Sequence, residues 1–210
     1  MSQRKLVKYI SLIIVSVLSI SVFTACTLGG ESPEQSLANA LNAFKNYDEE
    51  VAKRYGVYED LTNLEANEKE SSSNGKKMGK LICKNLDFKI KSSSIDGDTA
   101  TVKTEITSID MKLIMGEYMS KAMELAMANT FTMEEPQMSE EELNKKTDQI
   151  FVDMLSRKDN KKVTVTVDVK LNKNEDYWVI DIDKDLEDAL FGGAVTFKDE
   201  LKESGWNISE

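Results

Sequence analysis

Histidine is absent from this 210-residue chain, and cysteine occurs at only two positions. Without histidine the chain has no Ser-His or Cys-His nucleophile pair and no imidazole ligand for a metal. It also shows no glycine-rich phosphate loop, zinc-binding spacing or nucleophile elbow. The commonest designs for hydrolytic catalysis are therefore excluded, and we expect a protein that is not an enzyme.

Positive charge is also in short supply, since 27 Lys and Arg face 37 Asp and Glu. Residues 1–25 contain three of the cations and no acid, so their removal takes the formal net charge from −10 to −13. Such a surface is repelled by nucleic acid and by anionic headgroups. We expect no nucleic-acid partner, and no basic surface that would hold the protein at a membrane.

The longest apolar run, residues 9–23, is too short for a comfortable transmembrane helix. It follows the cations Arg4, Lys5 and Lys8, which is the pattern of a secretory signal peptide covering residues 1–25. The run ends at Phe23-Thr24-Ala25-Cys26 and resembles the lipobox of bacterial lipoproteins. In a plain secreted protein, cleavage after Ala25 would instead leave Cys26 as a bystander.

The lipobox resemblance implies that Cys26 is the lipid attachment site and the first residue of the mature chain. Residues 26–32 would then be a lipidated spacer, and the protein would lie on the extracytoplasmic face of the cell membrane. Two acyl chains make such attachment durable where one is marginal. With Cys26 acylated no intrachain disulfide is expected, and Cys83 is predicted to be a small core residue.

Two helices are predicted after the spacer. Ser32, Pro33 and Gln35 form a capping box with proline at the first helical position. A second helix is predicted from Asp48 to Leu64, because apolar residues recur there at spacings of three and four. Residues 65–79 are polar and are predicted to be a loop.

The pattern then changes to alternation, which predicts two antiparallel hairpins with one buried face. The first joins residues 86–90 to 100–106 through a tight turn at Asp96-Gly97. The second joins residues 163–171 to 178–182. A helix at 111–130 and a helix capped by Ser139 separate the hairpins.

Asp183 is predicted to cap a last short helix that ends at Gly192-Gly193. Residues 204–210 are assigned to a tail. One α+β domain over residues 33–203 is therefore predicted, with a four-stranded antiparallel sheet packed against helices.

The lipobox, the capped helix, the run Leu86-Asp-Phe-Lys-Ile90 and the ending Tyr177-Trp-Val-Ile180 resemble exported lipoproteins of unknown function from Gram-positive bacteria. That resemblance implies a cone-like α+β fold similar to nuclear transport factor 2, in which a curved sheet wraps around helices. It implies no catalytic residues. The Met111–Arg157 helical pair departs from the pattern as an insertion between the two hairpins.

Methionine recurs every fourth residue in the first inserted helix, at Met111, Met115, Met119, Met123 and Met127. Each step turns by about 40°, so the stripe winds round the helix, which favours packing on more than one side. An apolar pocket or partner groove and Cu(I) ligation stay open as alternatives. The residues indicated as a pocket lining are Met115, Tyr118, Met119, Met123 and Trp178.

Three aspartates, Asp181, Asp183 and Asp185, are spaced like the opening of a calcium loop. The glycine and glutamate that such a loop needs are replaced by Leu186 and Gly192, so strand alternation and a helix cap explain the aspartates better. We expect no metal site and no cofactor.

The expected function is binding, by a membrane-anchored extracytoplasmic module, of an envelope protein, a peptide or a small apolar ligand. The alternative is a small-molecule enzyme or carrier that uses a pocket between sheet and helices.

The Cys26→Ser variant tests the anchor directly. We expect the wild-type protein to partition with membranes and to carry lipid mass on its N-terminal peptide, and the variant to lose both, because serine cannot form the thioether. Fractionation and mass spectrometry check this outcome. Equal membrane partitioning of both proteins, with no lipid mass on either, would contradict it.

Overall fold

A computed structural model describes residues 30–57, 73–131 and 137–205. In chain order the described elements are α1 (Pro33–Asn46), α2 (Glu49–Arg54), α3 (Ser73–Cys83), β1 (Asp87–Asp96), β2 (Thr99–Ile109), α4 (Met111–Phe131), α5 (Glu140–Leu155), β3 (Lys162–Asn174), β4 (Tyr177–Asp181), α6 (Lys184–Leu190) and α7 (Ala194–Glu203).

The described strands form one curved, open antiparallel sheet in the order β1-β2-β3-β4. Its longest pairing joins β2 to β3 over eleven residues, from Thr99 opposite Asn172 to Ile109 opposite Lys162. The α4–α5 pair lies in the connection between these strands. The predicted α+β class, the four-stranded antiparallel sheet and the helical insertion are therefore confirmed. The likeness to nuclear transport factor 2 stays a prediction.

One face of the sheet is buried because apolar side chains alternate in register on neighbouring strands. Val102 of β2 pairs with Val169 of β3, and both are almost fully buried. The residues that alternate with them along each strand point to the other face of the sheet, where Lys103 of β2 lies 3.5 Å from Asp168 of β3. The sheet therefore has an apolar face against the helices and a polar face toward solvent.

Helices α1 and α6 cover the apolar face. Leu37, Leu41 and Phe44 of α1 are each at most 1% exposed, and Leu186 and Leu190 of α6 are similarly buried. Each such side chain contributes about 1.5–3 kcal/mol on burial. The two helices meet through an edge-to-face ring pair, Phe44 with Phe191, whose centroids are 5.7 Å apart. The buried Ser108 hydroxyl of β2 donates to the Ala189 carbonyl of α6 at 2.8 Å.

Most predicted helix boundaries agree with the structure. The capping boxes at Ser32 and Ser139 are both present, and Asp183 caps α6 through the Leu186 amide. The tight turn of the first hairpin holds Gly97 at a φ of +61°. These signals were readable because each depends on residues within three or four positions of one another.

The region between α1 and β1 differs from the prediction. Helix α2 has only six residues, is capped by Asp48 and ends before Tyr55. Residues 55–57 of the predicted helix are not helical, and its residues 58–64 lie outside the described part of the chain. Residues 73–79, predicted as a loop, belong to helix α3. The first turns of α3 are polar, which is why a loop was predicted there. Its last residues Leu81, Ile82 and Cys83 are apolar and buried.

Helix α7 was not predicted at all. It begins after Gly193, whose φ of +85° reverses the chain, and it is held by two ion pairs that are distant in sequence. Lys184 lies 2.5 Å from Asp199, and Lys112 of α4 lies 2.6 Å from Glu200. The helix has no fully buried residue. Of the predicted tail, residues 204 and 205 form a turn and residues 206–210 lie outside the described part.

The sheet has two distinct ends. At the end that we call the turn end, both hairpin turns meet, and the Lys173 amide donates to the Asp98 carbonyl at 2.8 Å. At the opposite end, which we call the arm end, the Asp110 amide donates to the Lys161 carbonyl at 2.9 Å and so joins the start of α4 to the strand that follows α5. The α4–α5 pair, residues 111–155, therefore leaves the sheet at one point, and we call it the arm.

A close backbone contact of Gly192 fixes the start of α4 at the arm end. Its carbonyl accepts from the Met111 amide at 3.0 Å, its φ is +59°, and a Cβ there would lie 1.8 Å from the Ile109 carbonyl oxygen. Only glycine combines this conformation with so close an approach.

We expect Gly192→Ala to lower the free energy of unfolding by about 2–5 kcal/mol, from left-handed strain and overpacking together. Gly116→Ala is the matched control, because nothing lies within 4 Å of its Cβ position. In that exposed helix interior the change should raise stability by up to about 1 kcal/mol. Urea unfolding measures both, and equal stabilities of the two variants would contradict the close approach.

Candidate interaction surface on the methionine-rich helix

Helix α4 is attached to the domain by its first turns. Met111 and Ile114 are 4% and 6% exposed, and these are the buried residues of the helix. Met115 and Tyr118 are half-buried, and the Tyr118 ring packs on Phe151 of α5 with centroids 5.0 Å apart. Beyond this point α4 packs against α5, with the rest of its surface open.

Large apolar side chains occupy that open surface. Leu113, Met123, Met127 and Phe131 are 52%, 51%, 54% and 76% exposed. At 100° per residue the last three span about 80° of the helix circumference, and Leu113 points in the same direction as Phe131. These four residues lie on one side of the helix, with the exposed Gly116 and Ser120 between Leu113 and the other three, and we call this strip the α4 apolar face.

The packing on more than one side that was predicted for the methionine helix is therefore found in its first turns, where Met111 and Ile114 are buried, and not toward its end. The methionine positions do wind round the helix, but only the side of α4 that faces α5 and the sheet is covered by other residues. Met115 and Met119 lie half-buried at the boundary of the covered side, and Met123 is exposed. The sequence indicated neither Leu113 nor Phe131, although Phe131 continues the four-residue spacing after Met127.

An ion pair and a side-chain hydrogen bond tie α4 to its neighbours. Arg157 donates to both carboxylate oxygens of Glu117, at 2.8 and 2.9 Å, and this bidentate bond lowers the pKa of Glu117 and raises that of Arg157. At the other end of the arm, the Met138 amide donates to the Asn129 side chain at 2.8 Å. The ion pair is solvent-exposed and contributes more to orientation than to stability, whereas the Met138–Asn129 bond is partly buried.

The predicted pocket residues do not come together. Trp178 lies on β4 at the turn end, where its backbone amide donates to the Ser36 hydroxyl at 3.0 Å. Met115, Tyr118, Met119 and Met123 lie on α4, which begins at the arm end. Trp178 is 5% exposed and packs in the domain core.

Polar groups around Glu31 hold the start of the domain in place. The Glu31 carboxylate accepts from the Ser36 hydroxyl at 2.8 Å and from the Tyr55 hydroxyl at 2.9 Å. Its amide donates to the Asp176 carbonyl at 2.6 Å, and its carbonyl accepts from the Trp178 indole at 3.2 Å. Glu31 was assigned to the spacer, yet it is bonded to the domain at the turn end.

An aromatic and cationic contact supports this Glu31 cluster. The Arg54 guanidinium lies 4.6 Å from the Tyr177 ring centroid, and the Tyr55 and Tyr177 rings meet edge to face at 5.8 Å. Burial raises the pKa of the Tyr55 hydroxyl, which keeps it a hydrogen-bond donor to the carboxylate at neutral pH. The cluster fixes where the chain enters the domain.

The remaining chemical candidates have structural roles. Cys83 is fully buried, and burial raises the pKa of its thiol to about 12, which makes it unreactive near neutral pH. The pKa of Asp183 is lowered by the Leu186 amide and by Lys170 at 3.2 Å, as expected for a helix cap. Within the described ranges no three carboxylate or thiol side chains are grouped as a metal site.

Helix α4 is long and apolar, but it carries Lys112, Glu117, Lys121 and Glu124. None of the helices in the described ranges combines the length and hydropathy needed to cross a bilayer.

Residues 36–193, about three quarters of the chain, match the family model of the domain of unknown function DUF5105. The chain belongs to this family. The match begins within α1 and ends at the glycine pair after α6, so it includes the sheet and the whole arm but excludes Glu31 and α7.

No curated protein matches the chain. Among solved structures, the chain is similar to ycdA from Bacillus subtilis subsp. subtilis str. 168, a protein provisionally described as a lipoprotein. The two share 21% identity with a TM-score of 0.49, and the match covers 73% of this chain and 55% of that one. The chain thus spans about half the length of that protein.

Two methionines of contrasting exposure test whether the α4 apolar face is free of the core. Met154→Ala, at a position 1% exposed, should lower the free energy of unfolding by about 2–5 kcal/mol. Met127→Ala should change it by less than about 0.5 kcal/mol, because its side chain has no packed surroundings to lose. Chemical denaturation distinguishes these outcomes, and a large loss at Met127 would mean that the face is covered.

Proposed function

We propose that this chain is a lipid-anchored, extracytoplasmic binding module, and that the α4 apolar face is its docking surface for another envelope protein. The single observation that carries the proposal is the run of four large apolar side chains, each more than half exposed, along one side of α4. The lipobox resemblance at Cys26 supplies the anchor; that residue lies outside the described part of the structure.

The shape of the α4 apolar face favours a protein partner over a small ligand. A small apolar ligand binds best in a concave site that surrounds most of its surface. The α4 apolar face is instead an extended convex strip about five helical turns long, from Leu113 to Phe131. Such strips are typical of surfaces that pair with a helix or groove of another protein.

Methionine suits this role. Its unbranched, polarisable side chain adapts to partner surfaces of different shape, at a modest cost in fixed geometry. Of the acidic residues that border the strip, Glu117 is paired with Arg157, so Glu124 is the one that would disfavour partners with acidic rims, since like charges across an interface cost several kcal/mol. We therefore propose a partner with an apolar segment flanked by basic or neutral residues.

Photo-crosslinking in intact cells tests the proposal. With p-benzoylphenylalanine in place of Phe131, we expect an adduct with one envelope protein. The same photoreactive residue in place of Thr166, an exposed position of β3, should give no such adduct. The purified partner should bind the wild-type chain and lose at least about tenfold in affinity with Met127→Glu, because the carboxylate would lose its hydration in an apolar contact.

Met127→Glu should melt at the temperature of the wild type, which separates loss of binding from loss of folding. Undiminished partner binding by this variant would overturn the docking surface. An adduct with a second copy of the chain, or with lipid alone, would overturn the proposed class of partner.

A further inference from the structure

The distance between the membrane anchor and the α4 apolar face determines which partner can reach that face. The inference drawn here rests on the proposed lipid on Cys26. From Cys26 to Glu31 the chain covers five residues, which reach at most about 18 Å when fully extended. Glu31 is bonded to the domain by its amide, its carbonyl and its carboxylate. The membrane anchor is therefore tied closely to one point on the domain.

That point lies at the turn end. The Glu31 amide donates to Asp176 in the β3–β4 turn, and the neighbouring β1–β2 turn is joined to β3 through the Asp98 carbonyl and the Lys173 amide. A short tether at this point keeps the two hairpin turns near the headgroup layer.

The arm leaves from the other end. Strand β2 runs from Thr99 at the turn end to Ile109 at the arm end, a distance of about 34 Å at 3.4 Å per residue. Helix α4 starts two residues later, and the Asp110–Lys161 backbone bond keeps the base of the arm there. The base of α4 is thus separated from the tether by the length of the sheet.

The turn end is acidic and does not itself bind anionic lipid. Asp96, Asp98, Glu175 and Asp176 lie in or beside the two turns, and the basic residues Lys173 and Arg54 lie near them. An anionic leaflet repels this group of carboxylates within a Debye length. The turn end faces the membrane because of its tether, and it gains nothing by adhering to headgroups.

We propose that the domain stands on its tether with the turn end toward the membrane and holds the base of α4, where the α4 apolar face begins at Leu113, at the membrane-distal end. The partner is then a protein that extends beyond the headgroup layer, and the bilayer itself is not the occupant of the strip. The short tether that ends at Glu31 sets the height above the membrane at which the α4 apolar face is presented.

Energy transfer from a fluorescent label to an acceptor lipid in the headgroup layer measures this orientation. Three variants of the full lipidated chain each carry one new cysteine: Asp98→Cys at the turn end, Lys161→Cys at the base of the arm and Met127→Cys on the strip. Cys26 is acylated and Cys83 is buried with a raised thiol pKa, so the new thiol is the one that reacts.

In vesicles of zwitterionic lipid we expect a large loss of donor fluorescence at residue 98 and smaller losses at residues 161 and 127. Equal losses at all three positions, or the largest loss at residue 127, would overturn the proposal; the latter result would mean that the strip contacts lipid. Matching melting temperatures confirm that each labelled variant is folded.

A longer spacer provides the matched control. Inserting ten Gly and Ser residues after position 29 lengthens the reach to roughly 50 Å and should erase the difference between residues 98 and 161. A difference that survives this insertion would overturn the role of the short tether. Mass spectrometry of the N-terminal peptide reports the lipid on Cys26 separately, so an absent lipid identifies a failure of the proposed function and not of the orientation.

Discussion

The antiparallel pairing of β2 with β3 is the interaction on which the rest of this structure depends. It joins residues 99–109 to residues 162–172 across the whole of the arm. Closing so long a connection costs little more entropy than closing a short one, because the cost grows only with the logarithm of its length. Once the two strands pair, the arm must begin and end at the same end of the sheet, and the domain acquires two unlike ends.

Each end is then fixed by groups distant in sequence. At the arm end, the Gly192 backbone fits against Ile109 so closely that no side chain is tolerated there. At the turn end, Glu31 is bonded by Ser36, Tyr55 and Trp178, which come from three separate elements. The family model includes the first of these contacts and stops short of the second, since it spans residues 36–193.

The function we propose follows from the incomplete covering of α4. Two residues at its start are buried, while Leu113, Met123, Met127 and Phe131 remain in contact with water. Keeping that much apolar surface exposed along one strip carries a risk of aggregation, and such strips commonly mark interaction sites. An adaptable methionine-rich surface, displayed at a fixed height by a short tether, suits a module whose task is to hold another protein.

Local patterns were enough to predict much of the fold. Alternation in β2 and β3, the capping boxes at Ser32 and Ser139 and the cap at Asp183 each involve residues a few positions apart, and the structure contains them all. Helix α3 was missed because its first turns are polar, and helix α7 was missed because it has no fully buried residue and is held by ion pairs with distant elements. The sequence by itself determined the strands, the one-sided sheet, the acidic surface and the signals of an anchor. Only the tertiary structure decided that the α4 apolar face is exposed, that Trp178 lies away from it and that Glu31 belongs to the domain. The reason is that burial depends on which surfaces the long-range strand pairing brings together.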